Sequence, residues 1–305
     1  MSRTVAVTAP AKINLSLGVG SPRDDGFHPL ATVYQAVGLL DTVTVADADE
    51  VTVTVSGDAR IATSDVPLGE GNIAVRAARA LAAQAGTTRG ARIHIDKGIP
   101  VAGGMAGGSA DAAATLVACD QLWGLGWSKP QLAELAAELG SDVPFALAGG
   151  TAIGTGRGEV VTPLMTRGEY WWVVVEADRG LSTPAVYAEF DALHTGTAVG
   201  DPEIPDVLLT ALRRHDLATV GATLTNDLQP PALRLRPELD DVLVTGLTET
   251  ALGAVLSGSG PTCLFLCDGQ AHAVQLSTVL RGHGLGPVSA VAGPVPGARV
   301  VAVEA

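Results

Sequence analysis

Four closely spaced glycines are the residues of this chain whose type and spacing best suit a specific chemistry. They are Gly103, Gly104, Gly107 and Gly108, within the stretch PVAGGMAGGSADAAATL at residues 100–116. Ser109 and Asp111 follow; both types accept hydrogen bonds from a first helical turn, and an alanine-rich run comes next, so we expect a helix that opens near Ser109. Glycines let the backbone wrap a ligand closely, and the N-terminus of a helix favours an anion. The stretch therefore predicts a phosphate-binding loop.

Two familiar phosphate-binding loops fit this stretch less well. A Walker loop ends in Gly-Lys-Ser/Thr, and no Gly-Lys pair follows these glycines. A dinucleotide-binding loop follows a strand and has an acidic residue about 20 positions further on. Residues 91–96 could form that strand, but Asp120 comes too early and lies inside the predicted helix. On the glycines alone, a tight turn that binds no ligand stays open, although the immediate helix start disfavours it.

Lysine is rare in this chain, and that rarity directs attention to the lysines that it has. They are Lys12, Lys97 and Lys129. Lys12 and Asn14 follow Pro10 in a segment of alternating apolar and polar residues, so we expect both to project from the start of a second strand. Asp142 lies in a short turn before a proline. Taken alone, Lys12 fits an exposed strand lysine, and Asp142 fits a helix cap.

Length and composition exclude several classes of protein. The chain has 305 residues, of which 47% are hydrophobic and 17% charged, as expected of a globular protein with a large core. A net charge of −13 argues against a nucleic-acid partner or an anionic membrane surface. Without a long apolar run or a basic-then-apolar N-terminus, we expect a cytosolic protein. Its three cysteines, Cys119, Cys263 and Cys267, fit reduced core thiols better than metal ligands.

The elements that must position these residues form an α+β chain. Strands are predicted at 4–19 (interrupted at Pro10), 31–37, 42–46, 51–55, 91–96, 170–175, 288–292 and 299–303, with a hairpin at 151–161 and a strand–turn–strand at 253–266. Helices are predicted at 72–85, from about 109, at 128–140, 183–194, 206–214, 237–245 and 271–281. A boundary near residues 162–169 divides the chain into two α+β halves.

Several separated segments together resemble the GHMP small-molecule kinases, in the order in which that family has them. They are PAKINLSLGV (10–19), the glycine loop, GSDVPFALAGG (140–150) and LSGSGPT (256–262). The segment DGFHPL (25–30) resembles the branch of the family whose substrate is a cytidyl-diphosphate sugar alcohol. The resemblance implies a two-domain α+β fold with the active site in the interdomain cleft. Residues 1–165 would form a ribosomal-S5-domain-2-like half that binds ATP, and residues 166–305 a ferredoxin-like half.

The resemblance also assigns roles at the reaction centre. Lys12 and Asp142 match the lysine and aspartate of the family, so Asp142 would accept the proton of the attacking hydroxyl while Lys12 would hold it ionised and steady the transferred group. Mg²⁺ would bind together with ATP, and Ser109 matches the serine ligand of the family. No acidic partner for the metal is identified. Ala102 and Ala106 depart from the family pattern, since close relatives often carry glycine there.

Two sets of binding residues follow from the same resemblance. ATP would contact the loop and two residues near it: Pro100, Ala102, Gly103, Gly104, Met105, Ala106, Gly107, Gly108, Ser109, Asn72 and Lys97. The substrate would contact Asn14, Phe27, His28, Thr183, Pro184, Tyr187, Gly258 and Ser259. Phe27 and Tyr187 would cover the two faces of cytosine while His28 reads its edge. On its own, Tyr187 fits a core residue of a helix better than a clamp.

Two other functions stay open. The chain could be another GHMP kinase that acts on mevalonate, homoserine or a sugar, although His28 and the paired aromatics disfavour it. It could also be a catalytically silent nucleotide-binding regulator, which would need neither Lys12 nor Asp142. We expect a monomer or weak homodimer with small-molecule ligands only.

Overall fold

The computed structural model describes residues 3–58, 61, 63–197 and 199–304. Its strands are β1 Thr4–Val19, β2 Leu30–Ala48, β3 Thr52–Gly57, β4 Gly90–Lys97, β5 Thr151–Thr155, β6 Val160–Pro163, β7 Tyr170–Val175, β8 Thr225–Asn226, β9 Gly253–Leu256, β10 Cys263–Cys267, β11 Val288–Gly293 and β12 Arg299–Glu304. Its helices are α1 Ile73–Gln84, α2 Gly107–Trp123, α3 Lys129–Leu139, α4 Val143–Ala148, α5 Thr183–Leu193, α6 Asp206–Arg214, α7 Leu217–Ala222, α8 Gln229–Leu235, α9 Glu238–Thr248 and α10 Gln270–Gly282.

The first sheet is built on two long antiparallel strands, and its main path has the order β12-β1-β2-β4-β3. The predicted interruption at Pro10 is wrong, because β1 runs through it. The predicted separation of 31–37 from 42–46 is also wrong, because both belong to β2. Instead, the register shifts between Pro10 and Ala11, opposite two extra residues of β2, Gly38 and Leu39. A bulge of this kind keeps two strands paired where proline removes a backbone donor.

The second sheet has the order β11-β7-β10-β9, and all its neighbouring strands are antiparallel. In chain order this is the 4-1-3-2 arrangement of a ferredoxin-like unit, with helices between its first and second strands and α10 between its third and fourth. The predicted strands of this half, including the strand–turn–strand, are confirmed. Sequence reasoning missed the short elements α7, β8 and α8, which lie between predicted helices.

Helix α2 is the central helix of the first half. It is buried on nearly all sides, and its alanines allow α1 and β1 to approach it closely. It begins at Gly107, two residues before the predicted start at Ser109. Ala106 takes the N-cap position with φ 60°, and no side-chain hydrogen bond caps α2 within the described residues. The capping role expected of Ser109 or Asp111 is therefore wrong, and the N-terminus of α2 opens directly from the glycine loop.

The two halves are joined by strand pairing as well as by the chain. The late strands β8 and β12 both pair with β1 of the first sheet. The predicted domain division at residue 165 stays a prediction. All three cysteines are buried and free, as the sequence predicts. Among the described helices, none combines the length and the apolar character that a membrane span needs.

Candidate active site

A cleft of about 890 Å³ lies beside the glycine loop and collects nearly all the residues selected from the sequence. Of the predicted set, the following line it: Lys12, Asn14, Phe27, His28, Asn72, Lys97, Pro100, Ala102, Gly103, Gly104, Met105, Ala106, Gly107, Gly108, Asp142, Thr183, Pro184, Tyr187, Gly258 and Ser259. Ser109, which the structure describes as half-buried on the first turn of α2, is not among the lining residues. One concave surface thus carries groups from the loop, β1, α4 and α5.

Lys12 and Asp142 face each other inside this cleft. The Lys12 Nζ lies 3.6 Å from Asp142 Oδ2 and donates a hydrogen bond to Asn14 Oδ1 at 3.0 Å. Asn14 is held in turn, because its Nδ2 donates to Thr32 Oγ1 at 2.8 Å. The Lys12 backbone N–H donates to the Met105 carbonyl at 3.0 Å, which joins β1 to the glycine loop. The expectation that Lys12 is an exposed strand lysine is wrong, since Lys12 is only 6% exposed.

Asp142 occupies the N-cap position of α4 without acting as its cap. In the part of the chain that the structure describes, its carboxylate makes no hydrogen bond to the first turn of α4. Burial raises the pKa of Tyr187 to about 12, and the charge of Asp142 adds to that shift. Burial and then Asp142 likewise raise the pKa of Tyr34 well above its usual value. The carboxylate therefore faces the cleft, with a lysine on one side and two neutral phenols nearby.

The glycine loop has a backbone conformation that lets it pack closely against residues 257–260. Gly104 has φ 75°, and a side chain there would collide with the Ser257 and Gly260 carbonyls. Ala102 and Ala106 also have positive φ, 55° and 60°, a region that glycine enters at much lower cost than alanine. These alanines thus take up glycine-like conformations. The loop then leads into the free N–H groups of α2, an arrangement that suits phosphate.

The segment LSGSGPT, residues 256–262, closes the cleft against this loop. Ser257 Oγ donates to the Gly104 carbonyl at 3.0 Å. A Cβ on Gly258 would lie 3.6 Å from Lys12 Nζ, so Gly258 packs directly over the lysine. Buried Asn226 holds this turn, because its Nδ2 donates to the Gly258 carbonyl at 2.7 Å. Loop, lysine and turn therefore form one connected unit.

Lys97 lies beneath the loop in a buried cluster of charges. Its Nζ donates to Asp41 and, at 2.8 Å, to Asp111 Oδ2. Burial by itself lowers the pKa of Lys97, but Asp111 and Asp41 outweigh it and raise that pKa. Burial raises the pKa of Asp111 well above its usual range, Lys97 opposes the shift, and Asp41 adds to it. Asp111 Oδ1 has no hydrogen-bond partner among the described residues. Lys97 is thus paired inside the protein, close to the start of α2.

The other end of the cleft carries aromatic rings and His28. The His28 ring lies 5.0 Å from that of Tyr187, and its Nδ1 is 2.8 Å from the Gly20 carbonyl. Phe27 is 48% exposed, and Arg157 lies over its ring at 4.8 Å. Thr183 and Ser259 join the two sides of this region, with their hydroxyl oxygens 2.8 Å apart. This end offers flat apolar faces and one fixed imidazole.

Asn72 caps α1 as the sequence predicts, since its Oδ1 accepts from the Ala74 N–H at 2.8 Å. Its Nδ2 donates to the Pro67 carbonyl at 2.8 Å, so both ends of the amide are engaged at the cleft wall. Sequence reasoning missed five groups of the site: Tyr34, Asp41, Asp111 (considered only as a cap), Arg157 and Asp191. A signal existed for Arg157, which lies in the glycine-rich turn TGRGE of the predicted hairpin.

Comparisons with known proteins agree with this geometry. Residues 72–150 match the family model described as GHMP kinases N terminal domain, and residues 208–284 match GHMP kinases C terminal. The chain is 55% identical to a 4-diphosphocytidyl-2-C-methyl-D-erythritol kinase of a Nocardioides species over 96% of this chain and 98% of that protein. A crystal structure of 4-(cytidine 5′-diphospho)-2C-methyl-D-erythritol kinase superposes with TM-score 0.76 at 33% identity, over 94% of this chain and 98% of that one. A homoserine kinase from Cytophaga hutchinsonii has the same fold, with TM-score 0.74 at 20% identity, over 98% and 97%.

Proposed function

Since the chain belongs to the GHMP kinase family, we propose that it transfers the γ-phosphoryl group of ATP to the C2 hydroxyl of 4-diphosphocytidyl-2-C-methyl-D-erythritol. The products are the 2-phosphate and ADP, a step of the non-mevalonate route to isoprenoid precursors. The observation that carries the proposal is the meeting of three features in one cleft: the glycine loop, the Lys12–Asp142 pair and the His28–Tyr187 pocket. The relative that is 55% identical carries the name of this activity.

In this proposal, Asp142 is the general base. The C2 hydroxyl oxygen attacks the γ-phosphorus, the bond from that phosphorus to the bridging oxygen breaks, and ADP leaves with the electron pair. The hydroxyl proton passes to the Asp142 carboxylate, which makes no capping hydrogen bond to α4 among the described residues. Lys12 offsets the negative charge that gathers on the transferred group, and its bond to Asn14 fixes its position. Positioning and charge neutralisation supply most of the rate enhancement in such transfers.

ATP would bind with its phosphates on the glycine loop and the first turn of α2. The positive φ at Gly104 and the open N-terminus of α2 fit this group. The adenosine would extend toward Asn72 and toward the part of the cleft wall that Lys97 lines. Mg²⁺ would enter with ATP, since it is commonly held by phosphate oxygens and one or two protein oxygens. A role for Ser109 as a magnesium ligand rests on the resemblance to the family alone.

Among the residues that the structure describes, no group of three or more His, Cys, Asp or Glu side chains is arranged to hold a metal ion. When bound with ATP, Mg²⁺ supplies charge neutralisation on the phosphates. The residues of the chain itself orient the nucleotide, hold the hydroxyl and remove its proton. We further propose that the enzyme is cytosolic and acts as a monomer or weak homodimer.

The cytidyl end of the substrate would occupy the pocket formed by His28, Tyr187 and Phe27. Two aromatic side chains suit the faces of a base, and a fixed imidazole suits its polar edge. Asn14, Thr183, Pro184, Gly258 and Ser259 would line the diphosphate and the sugar alcohol. A silent nucleotide-binding regulator is disfavoured, because it would gain nothing from Lys12 and Asp142 at 3.6 Å.

Product analysis tests this proposal. Purified protein, ATP, Mg²⁺ and the cytidyl substrate should give one new phosphomonoester, detected by phosphorus NMR and located at C2 by its couplings and by mass spectrometry. A phosphate on another oxygen, or ADP released without a phosphorylated product, would contradict the assignment of the reacting hydroxyl.

A further inference from the structure

Asp191 lies next to the base pocket, on α5. It follows Tyr187 by four residues on α5, a spacing that places two side chains on the same face of a helix. Both residues line the cleft. The Asp191 Oδ1 lies 3.6 Å from His28 Nε2, and its side chain is 45% exposed. A carboxylate and an imidazole nitrogen thus stand side by side at the edge of the pocket.

The orientation of His28 is fixed by its surroundings. A carbonyl oxygen can only accept, so the Nδ1 that lies 2.8 Å from the Gly20 carbonyl carries a hydrogen. Tyr187 and the edge of Phe190, at 5.0 and 5.8 Å between ring centres, pack against the imidazole. His28 is 8% exposed, so the ring is held in place with Nε2 turned toward Asp191.

At 3.6 Å, Asp191 Oδ1 and His28 Nε2 are neighbours but too far apart for a good hydrogen bond. Each group therefore keeps hydrogen-bonding capacity that a ligand in the pocket can use. A carboxylate can only accept hydrogen bonds, whatever the state of its neighbour. The edge of a ligand that faces Asp191 must therefore offer an N–H or O–H group.

We propose that Asp191 is a specificity-determining residue of the base pocket, which accepts a hydrogen bond from the exocyclic amino group of cytosine and so selects cytosine over uracil. The inference rests on the proposed function. Cytosine carries an amino group at C4, where uracil carries a carbonyl oxygen. With uracil bound, the carbonyl oxygen would face the carboxylate oxygen, and two acceptors would meet without a hydrogen between them. A hydrogen bond to a charged group supports discrimination of about 10- to 100-fold, the scale expected for a half-exposed carboxylate.

The test measures the dissociation constants of cytidine 5′-monophosphate and uridine 5′-monophosphate by calorimetry. The two nucleotides have the same charge, so a change in protein charge cancels from their affinity ratio. The variants are Asp191→Asn and, as a matched control on the same helix, Glu189→Gln. Glu189 pairs with Arg234 at 3.0 Å and is not one of the residues that line the cleft. Thermal unfolding confirms that each variant is folded.

We expect the wild type and Glu189→Gln to prefer the cytidine nucleotide by about 10- to 100-fold. Asp191→Asn should bind the cytidine nucleotide more weakly and reduce the ratio to a few-fold or less, since an amide can donate to the carbonyl of uracil. An unchanged ratio in Asp191→Asn, or an equal loss of both nucleotides, would overturn the proposal for Asp191 and leave the proposed function standing. A wild type that fails to distinguish the two nucleotides would contradict the cytidyl assignment itself.

Discussion

The Lys12 ammonium and the Asp142 carboxylate lie 3.6 Å apart, although they come from β1 and from the start of α4. Neither side chain has the role that is usual for its position in the secondary structure. Asp142 stands at an N-cap position without capping, and Lys12 is buried on a strand instead of solvated. In the proposed function, these two side chains, which lie together beside the glycine loop, form the reaction centre for phosphoryl transfer.

The first prediction concerns the proposed base. Asp142→Asn should lower kcat by at least about 100-fold, because an amide cannot accept the hydroxyl proton. The affinity for ATP should change little and the variant should stay folded, since the carboxylate does not cap α4 and Lys12 keeps its hydrogen bond to Asn14. Steady-state kinetics, with exposed Asp268→Asn as a control, measure the effect. Turnover close to that of the wild type in a folded Asp142→Asn variant would exclude Asp142 as the base.

The second prediction concerns the glycine loop. Gly104→Ala should weaken ATP binding strongly, because the new Cβ meets the Ser257 and Gly260 carbonyls and φ is 75°. The loop must then move away from residues 257–260, while His28 and Tyr187 at the other end of the cleft are undisturbed. Calorimetric titration should show a loss of ATP affinity, with binding of cytidine 5′-monophosphate, which would occupy only the base pocket, largely kept. Gly269→Ala, where a Cβ meets nothing within 4 Å, is the control. Equal weakening of both ligands would indicate a purely structural loop.

The third prediction concerns the aromatic wall. Tyr187→Ala should weaken binding of the cytidyl substrate by roughly 1–3 kcal/mol, the scale of base–aromatic stacking, with little change in KM for ATP. Its ring also supports His28 at 5.0 Å, so the loss should exceed that of Phe27→Ala, whose ring is 48% exposed. Tyr187→Phe keeps the ring and should restore most of the affinity. An unaltered KM for the cytidyl substrate in Tyr187→Ala would show that the Tyr187 ring does not stack on the base.

The fourth prediction concerns the buried charges and pH. Burial raises the pKa of Asp111, so as pH rises above the usual carboxyl range, the unfolded chain loses this proton while the folded protein keeps it. The folded state then binds more protons, and its stability falls with rising pH, by at most about 1.4 kcal/mol per pH unit for one group. Asp111→Asn cannot ionise and should lose less stability than the wild type between pH 5 and pH 8. Denaturant unfolding at both values measures this, and parallel changes in the two proteins would contradict it.

The elements that sequence predicts well are those fixed by local signals. Helix α1 has Asn72 as its cap, and α3 lies between Ser128 and Gly140, as expected from capping residues and apolar periodicity. The continuous strands β1 and β2 were not predictable in the same way. Their continuity depends on pairing between segments far apart in the chain, where a bulge accommodates Pro10. The sequence around Pro10 predicts a strand break, but the pairing with β2 keeps β1 continuous.

The residues of the site divide in the same way, into those that a local pattern identifies and those that tertiary packing brings to the cleft. Glycine spacing selects the loop, and the resemblance to a family selects Lys12, Asp142 and His28, because each of these lies in a motif. One partner of Lys97 lies outside any motif: Asp41 is 56 residues away and meets the lysine only when β2 pairs with β4. Asp191 and Arg157 likewise reach the cleft through packing of α5 and of the β5–β6 turn. Contacts of this kind follow from tertiary structure, and among these residues the sequence gives a signal for Arg157 alone, in the glycine-rich turn TGRGE.

The measurement that tests the central claim most directly is a comparison of three acceptor substrates in one assay. ADP release, coupled to NADH oxidation, is followed with ATP and Mg²⁺ and with 4-diphosphocytidyl-2-C-methyl-D-erythritol, mevalonate or homoserine. Because the cleft joins a phosphate loop to a pocket suited to a nucleobase, we predict efficient turnover of the cytidyl substrate and kcat/KM values lower by at least about 1,000-fold for the other two. Cytidine 5′-monophosphate should compete with the cytidyl substrate and not with ATP. A higher kcat/KM for mevalonate or homoserine, or no competition by the cytidine nucleotide, would contradict the proposed function.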